Sequence, residues 1–170
     1  MIKKEVLDAI NEQINAESYS AYMYLSMAGY FENLGLSGFA HWMKIQYQEE
    51  SAHALKFFNY LTDRGGKIRL KAIEQVPVDF DGIVDVFEKT LEHENHVTDL
   101  ISNLMNVAVA ARDHASQSFL KWFVDEQVEE ESNIEKILAT LKLINGQGNG
   151  IFMMDRELSQ RVFNDPNAAV

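Results

Sequence analysis

The sequence predicts an all-α fold: an up-down bundle of four long helices, a long crossover between helices two and three, and a short fifth helix near the C-terminus. Three observations predict it. Apolar residues recur at steps of three and four through four long stretches, the period of an amphipathic helix. Glycine-containing stop signals separate these stretches, and the connection at residues 67–82 is far longer than the 2–8 residues that usually join neighbouring helices. One domain over residues 1–170 accounts for the whole, with the bundle at about 5–145 and the short helix at about 151–163.

The first helix runs from Glu5 to about Asn33, with Leu7, Ile10, Ile14, Ala21, Tyr24, Ala28 and Phe31 on one seam. Glu17 fills the place in that rhythm between Ile14 and Ala21. Asn33-Leu34-Gly35 stops the helix and Ser37 is placed to cap the next. The second helix, about Gly38 to Asp63, has the seam Phe39, Met43, Gln46, Glu50, His53, Phe57 and Tyr60. Arg64-Gly65-Gly66 ends it.

The connection 67–82 contains Pro77 and ends in Asp79-Phe80-Asp81-Gly82, with Asp81 placed as an N-cap. About 16 extended residues span about 50 Å, against about 40 Å for a helix of this length, so the segment can run the length of the bundle. Helices two and three are then parallel. The third helix, about Gly82 to Ala111, has the seam Ile83, Phe87, Thr90, Glu94, Val97, Ile101, Leu104 and Ala108. The fourth, about His114 to Asn145, has Leu120, Phe123, Gln127, Glu130, Ile134, Ile137, Leu141 and Ile144. Gly146-Gln147-Gly148-Asn149-Gly150 reads as a hinge before an amphipathic helix from Ile151 to about Phe163. That helix is too short to stand alone and needs the bundle or a neighbouring subunit to dock on. Asn164 to Val170 reads as a frayed tail.

Composition narrows the function. An apolar fraction of 46% and an aromatic fraction of 11% describe a soluble globular chain. A net charge of −11 disfavours nucleic acid as a partner; it can concentrate cations, though on charge alone keeping the chain soluble is the plainer reading. With no cysteine, disulfides, thiolate metal sites and cysteine nucleophiles are excluded. Neither a signal peptide nor a membrane span is evident, so the expected location is the cytoplasm, with no membrane partner.

Each of the four seams is interrupted by polar residues near its middle. Glu50 and His53, three apart on a helix, lie on one side and can converge on one ligand. Counting from the turns, Glu17, Glu50, Glu94, Gln127 and Glu130 lie at heights that agree to within about a turn at ~1.5 Å per residue. Four buried carboxylates without cations would have sharply raised pKa values, and no lysine or arginine lies in the seams. Two divalent cations would neutralise them, with His53 a neutral ligand. Oxygen donors with one imidazole and no thiolate suit iron or manganese better than structural zinc. A metal-free bundle whose polar layer merely fixes helix register is the competing reading.

The chain resembles the ferritin family, specifically its non-haem bacterial and archaeal type. The resemblance covers nearly the whole chain: the two hairpins, the crossover, the fifth helix, and the blocks Asn15-Ala16-Glu17-Ser18-Tyr19-Ser20-Ala21-Tyr22, Phe39-Ala40-His41-Trp42, Glu49-Glu50-Ser51-Ala52-His53 and Phe119-Leu120-Lys121-Trp122-Phe123-Val124-Asp125-Glu126-Gln127-Val128-Glu129-Glu130-Glu131. It implies a ferroxidase centre in which Glu17, Glu50 and His53 hold one iron with Gln127 adjacent, and Glu50, Glu94 and Glu130 hold the other. It also implies a third iron site of Glu49, Glu126, Glu129 and Glu130; an acidic cavity-facing surface is the plainer reading of Glu49, Glu126 and Glu129. Tyr24, two turns beyond Glu17, would lie close to the centre and supply an electron or a hydrogen bond. The resemblance implies iron storage: Fe(II) oxidised by O2 or hydrogen peroxide, and Fe(III) mineral deposited inside a shell of 24 identical subunits.

Neighbouring families differ at identifiable positions. Bacterioferritins and rubrerythrins have a second Glu-x-x-His on the fourth helix, where this chain has Gln127 and Glu130, which favours a site that oxidises iron and passes it on. Bacterioferritins bind haem through a methionine just before the helix-two histidine; Ala52 stands there, so no haem is expected. A rubrerythrin-like di-iron oxidase without mineral storage is the alternative within the metal class. In animal ferritins acidic residues near the start of helix four line the three-fold channels, where Gln117 and Leu120 stand here. His93 and His96 fall off the seam and read as surface residues, as do His41 and His114, at a surface or an interface.

Overall fold

In a computed structural model describing residues 2–168, the chain forms α1 (Lys4–Asn33), α2 (Ser37–Asp63), α3 (Ile83–Ala110), α4 (His114–Ile144) and α5 (Gly148–Leu158), with no strand among the described residues. α1 and α2 form one antiparallel hairpin, and α3 and α4 the other. The turn after α1 is closed by Gly35, whose φ of 73° suits glycine, with Leu36 N–H donating to the Phe31 carbonyl at 3.0 Å. The second hairpin turns through Arg112, also at positive φ, and Asp113 then caps α4 by accepting the Ser116 N–H at 3.1 Å. Arg64, from the end of α2, grips Asp113 at 2.9 Å and joins the two hairpins at that end.

The crossover, residues 64–82, lies along α1 as its length predicts. Asn11 fixes one end, donating to the Lys67 carbonyl at 3.1 Å and accepting the Arg69 N–H at 2.6 Å. Ser26 holds the other end, donating to the Pro77 carbonyl at 2.6 Å, and Val76 is buried between. The path returns the chain to the far end of the bundle, so α3 runs parallel to α2 and antiparallel to α1. Phe87 near the start of α3 accordingly packs on Phe39 and Trp42 near the start of α2.

The core divides into two apolar clusters. One holds Phe31, Phe39, Met43, Phe87, Ile134 and Leu141; the other holds Ile10, Ile14, Phe57, Leu61, Ile101, Leu120 and Phe123. The polar seam residues lie between them. Three seam assignments shift by one position: Val6 rather than Leu7, Leu61 rather than Tyr60, and Leu138 rather than Ile137 face the core. In the last case the chain steps by four and then three from Ile134, not three and then four.

The helix caps depart from expectation. Ser37 does not cap α2: it is already the first helical residue, and Leu36, the capping position, has no side-chain acceptor. The orphan N–H groups of Gly38 and Phe39 instead donate to Asp155 Oδ1, at 2.8 and 3.0 Å, so α5 caps α2 from a distance. Gly82, at φ 121°, occupies the α3 cap in place of Asp81, and Asp85 in the first turn reaches back to accept the Asp81 N–H at 2.9 Å.

The C-terminal region is also more ordered than its composition suggests. Gly148, Asn149 and Gly150 belong to α5 and not to a hinge, and the helix stops at Leu158 and not near Phe163. Met154 and Leu158 enter the core, and Gly150 closes against Ile144. The expected frayed tail instead packs on α2: Pro166 accepts from Lys56 at 3.2 Å, and Asn167 donates to the Ala52 carbonyl at 2.9 Å. Ala169 and Val170 lie outside the described residues.

A Cβ on Gly38 would sit 1.6 Å from the Asp155 carbonyl oxygen, leaving no room for any side chain while α5 is docked. Gly38→Ala is therefore expected to undock α5 and lower stability by about 1–3 kcal/mol in chemical denaturation, whereas Gly29→Ala, where no atom is within 4 Å, does not.

Candidate metal centre

Glu17, Glu50 and His53 converge. One ligand atom from each lies within 4.8 Å of the others, and all three side chains are buried. His53 Nδ1 is 3.5 Å from Glu50 Oε2, so the Glu-x-x-His pair aims at one point from α2 while α1 supplies Glu17. Gln13, one turn before Glu17, donates to Glu17 Oε1 at 2.8 Å and fixes that carboxyl. The rings of Trp122 and Phe123 stand edge-on to His53 and wall the site from the α4 side.

The second half is built from α3 and α4. Glu94 is fully buried and accepts from the Tyr24 hydroxyl on one oxygen and from Gln127 Nε2 on the other, at 3.1 Å. Glu130, 3% exposed, accepts from Gln46 Nε2 at 3.0 Å, while Gln46 Oε1 is buried without a hydrogen-bond partner. An acceptor oxygen left bare in the core has nothing to satisfy it but a proton donor or a cation.

Burial dominates the acid–base behaviour. It raises the carboxyl pKa values of Glu17 and Glu50 well above the usual range, and neighbouring carboxylates push the same way: Glu50 on Glu17, and Glu94 and Glu130 on Glu50. Glu94 is raised to about 8, by burial first and then by Glu130. Burial and the nearby carboxylates also keep the Tyr24 phenol protonated far into alkaline solution, which suits it to donate to Glu94. No lysine or arginine is buried among the described residues, so no fixed cation offsets these groups.

The remaining sequence candidates lie at the edge. Glu126 Oε1 is 4.0 Å from His53 Nε2, and burial raises its pKa. Glu49 is bound by Arg161 at 2.6 Å; burial nonetheless lifts it to about 7, against the pull of the guanidinium. Glu129 is exposed on the same face of α4. The structure therefore brings Glu17, Glu50, His53, Glu94, Gln127, Glu130 and Tyr24 into one centre, places Glu126 and Glu49 at its border, and leaves Glu129 outside.

The sequence reading missed three contributors. Gln13 and Gln46 each stand four residues before a seam glutamate; Gln46 lies on the seam itself but is given no role there by its residue type, and Gln13 draws no notice from the sequence at all. His93 is not the surface residue its position off the seam suggests. It accepts or donates a 2.7 Å hydrogen bond with Ser20 and packs edge-on to Tyr24, and burial lowers its pKa to about 4. Of the other histidines, His96 and His114 are exposed as expected, and His41 bonds the Arg161 carbonyl at 2.8 Å.

The ferritin-like domain family model matches residues 7–144, which takes in the four bundle helices apart from the first three residues of α1, and every residue of the centre. The chain belongs to the ferritin family. It is 46% identical over 161 residues to a bacterial non-heme ferritin of Bacteroides fragilis, covering 95% of this chain and 100% of that protein. It is 37% identical over 165 residues to a bacterial non-heme ferritin of Staphylococcus aureus, covering 97% and 99%. Among solved structures it superimposes on an open-pore ferritin of the hyperthermophilic archaeon Archaeoglobus fulgidus with a TM-score of 0.94 at 44% identity, covering 95% of this chain and 100% of that one. A closed form of that ferritin, engineered by site-directed mutagenesis, gives a TM-score of 0.95 at 44% identity, covering 96% and 100%. Membership supports iron storage as the function of this ferritin. No helix among the described residues is long and apolar enough to cross a membrane.

The raised carboxyl values set the pH dependence of the metal-free ferritin. Glu94 binds a proton more tightly folded than unfolded, so folding is favoured below the ordinary value of 4.5 and that contribution is lost as pH climbs to about 8. The melting temperature of metal-free protein is expected to fall between pH 5 and pH 8, less steeply in Glu94→Gln, and to recover when divalent cation is added at pH 8.

Proposed function

We propose that the chain is a ferroxidase that oxidises Fe(II) at the buried carboxylate centre and delivers Fe(III) to a mineral store. The observation that carries this reading is the meeting of four buried glutamates and one histidine with no cationic side chain among them. Two divalent cations supply the missing four positive charges, one held by Glu17, Glu50 and His53 and the other by Glu50, Glu94 and Glu130 with Glu50 between. Binding expels the protons that burial keeps on Glu17, Glu50 and Glu94, so affinity rises with pH.

Oxidation then balances simply. Two Fe(II) each give one electron to O2, which takes up two protons and leaves as hydrogen peroxide; alternatively hydrogen peroxide accepts the two electrons and two protons and leaves as two waters. The carboxylates favour this step because added negative ligand charge stabilises Fe(III) more than Fe(II). Gln127 and Tyr24 hold Glu94 by hydrogen bonds and orient it toward the metal. With Gln127 and Glu130 in place of a second Glu-x-x-His, the second position has no imidazole and the centre is asymmetric, which suits iron that passes through. Glu49 and Glu126, with Glu130, form the outward path, where a third cation binds, and exposed Glu129 lies beyond them. Hydrolysis of Fe(III) by water gives hydrated oxide and releases protons.

A store needs an enclosed volume, and 24 copies of this chain in a closed cytoplasmic shell provide it. Exposed Tyr22, Leu25 and Tyr47 on the α1–α2 face offer apolar surface for another copy to cover. Electron microscopy of the purified protein is expected to show hollow particles; isolated dimers would favour a di-iron oxidase of small molecules.

Aerobic addition of Fe(II) is expected to produce a fast near-ultraviolet absorbance rise. In Glu17→Ala and His53→Ala its initial rate should fall by at least about tenfold, since each removes a ligand. Rates equal to the native protein's in both variants would sink the reading.

A further inference from the structure

Arg161 leaves the end of α5 and lies against α2 beside the metal centre. Its carbonyl accepts from His41 Nε2 at 2.8 Å, its guanidinium lies 4.5 Å from the centroid of Trp42, and Nη2 meets Glu49 Oε2 at 2.6 Å. Both side chains are largely covered, Arg161 at 20% and Glu49 at 16% exposure, so the pair is shielded from solvent and salt. Nη1 is buried with no partner. Farther along, Pro166 and Asn167 fasten the tail to Lys56 and Ala52 of α2, so the chain is anchored on both sides of the arginine.

Glu49 differs in this from Glu126, Glu129 and Glu130, none of which has an ion pair with a lysine or arginine among the described residues. The one lysine or arginine ion-paired to this carboxylate group is thus tethered, oriented by stacking, and engaged with an oxygen that a third metal ion would use; Lys56 acts on Glu126 only from farther away.

We propose that Arg161 is a resident counter-ion of the outward path: its guanidinium occupies Glu49, and a metal cation binding at Glu49, Glu126 and Glu130 must displace it. The inference rests on the ferroxidase reading and adds a positioning residue to it. Displacement costs the arginine its charge-assisted hydrogen bond, so a third cation binds weakly and is released readily. A trivalent ion, with its stronger attraction to the carboxylates, displaces the guanidinium more readily than a divalent one, which favours passage of product over retention of substrate.

Redox-inert Zn(II), titrated calorimetrically into the assembled metal-free protein and located by anomalous scattering, tests this without turnover. The native protein is expected to fill the buried pair tightly and the Glu49–Glu126–Glu130 position weakly. Arg161→Met keeps an apolar side chain over Trp42 and should tighten the third position about tenfold, leaving the pair within about twofold. Arg161→Lys keeps the charge and should bind the third ion close to the native affinity. An unchanged third affinity in Arg161→Met, an equal gain at all three positions, or no third ion in either protein overturns the proposal. Zinc absent from the buried pair of the native protein contradicts the ferroxidase reading itself, and this inference with it.

Discussion

Four carboxyl groups sealed inside a helical bundle, with no positive side chain to meet them, are the constraint on which the rest of this structure depends. Desolvation makes Glu17, Glu50 and Glu94 costly as anions, and neighbouring carboxylates raise these three further. A layer of this kind persists only where something other than packing is gained. The two apolar clusters on either side hold the bundle together and tolerate a polar gap between them. Gln13, Gln46, Gln127 and Tyr24 satisfy carboxyl oxygens with neutral donors and so hold the geometry without cancelling the charge. A lysine in place of any of these would relieve the electrostatic cost and abolish the attraction for metal.

Topology brings the carboxylates to one level. The crossover, laid along α1 by Asn11 and Ser26, carries the chain back so that α2 and α3 start at the same end. Glu50 and Glu94, each roughly midway along its helix, then face each other. A short connection would have reversed α3 and exchanged which of its ends lies beside the start of α2. α5 works from the other direction: Asp155 completes the N-terminus of α2, and the tail beyond it reaches the border of the centre through Arg161. The C-terminal region is therefore linked to the centre through one helix.

Much of the centre could be read from the sequence because helical period converts spacing into direction. Glu17, Glu50, His53, Glu94, Gln127 and Glu130 each fall where an apolar residue is due, and all are buried. The four bundle helices were legible for the same reason, with ends set by local signals such as Gly35. What escaped depends on contacts between residues distant in the chain. Asp155 and Gly38 are separated by most of the protein, so the cap of α2 leaves no trace near α2 itself. His93 lies off the seam of its own helix, but α1 packs on that side and half-buries it against Ser20 and Tyr24. The tail, polar and containing a proline, has the composition of a loose end; its docking comes from hydrogen bonds to α2 that no local pattern announces.

If the buried layer is a two-metal site, iron must enter it. The most direct measurement is anomalous diffraction at the iron edge from crystals soaked anaerobically in Fe(II). Two strong peaks are expected inside each bundle, one bounded by Glu17, Glu50 and His53 and the other by Glu50, Glu94 and Glu130. Iron found only on the protein surface, with the layer closed by its own hydrogen bonds, would contradict the two-metal site.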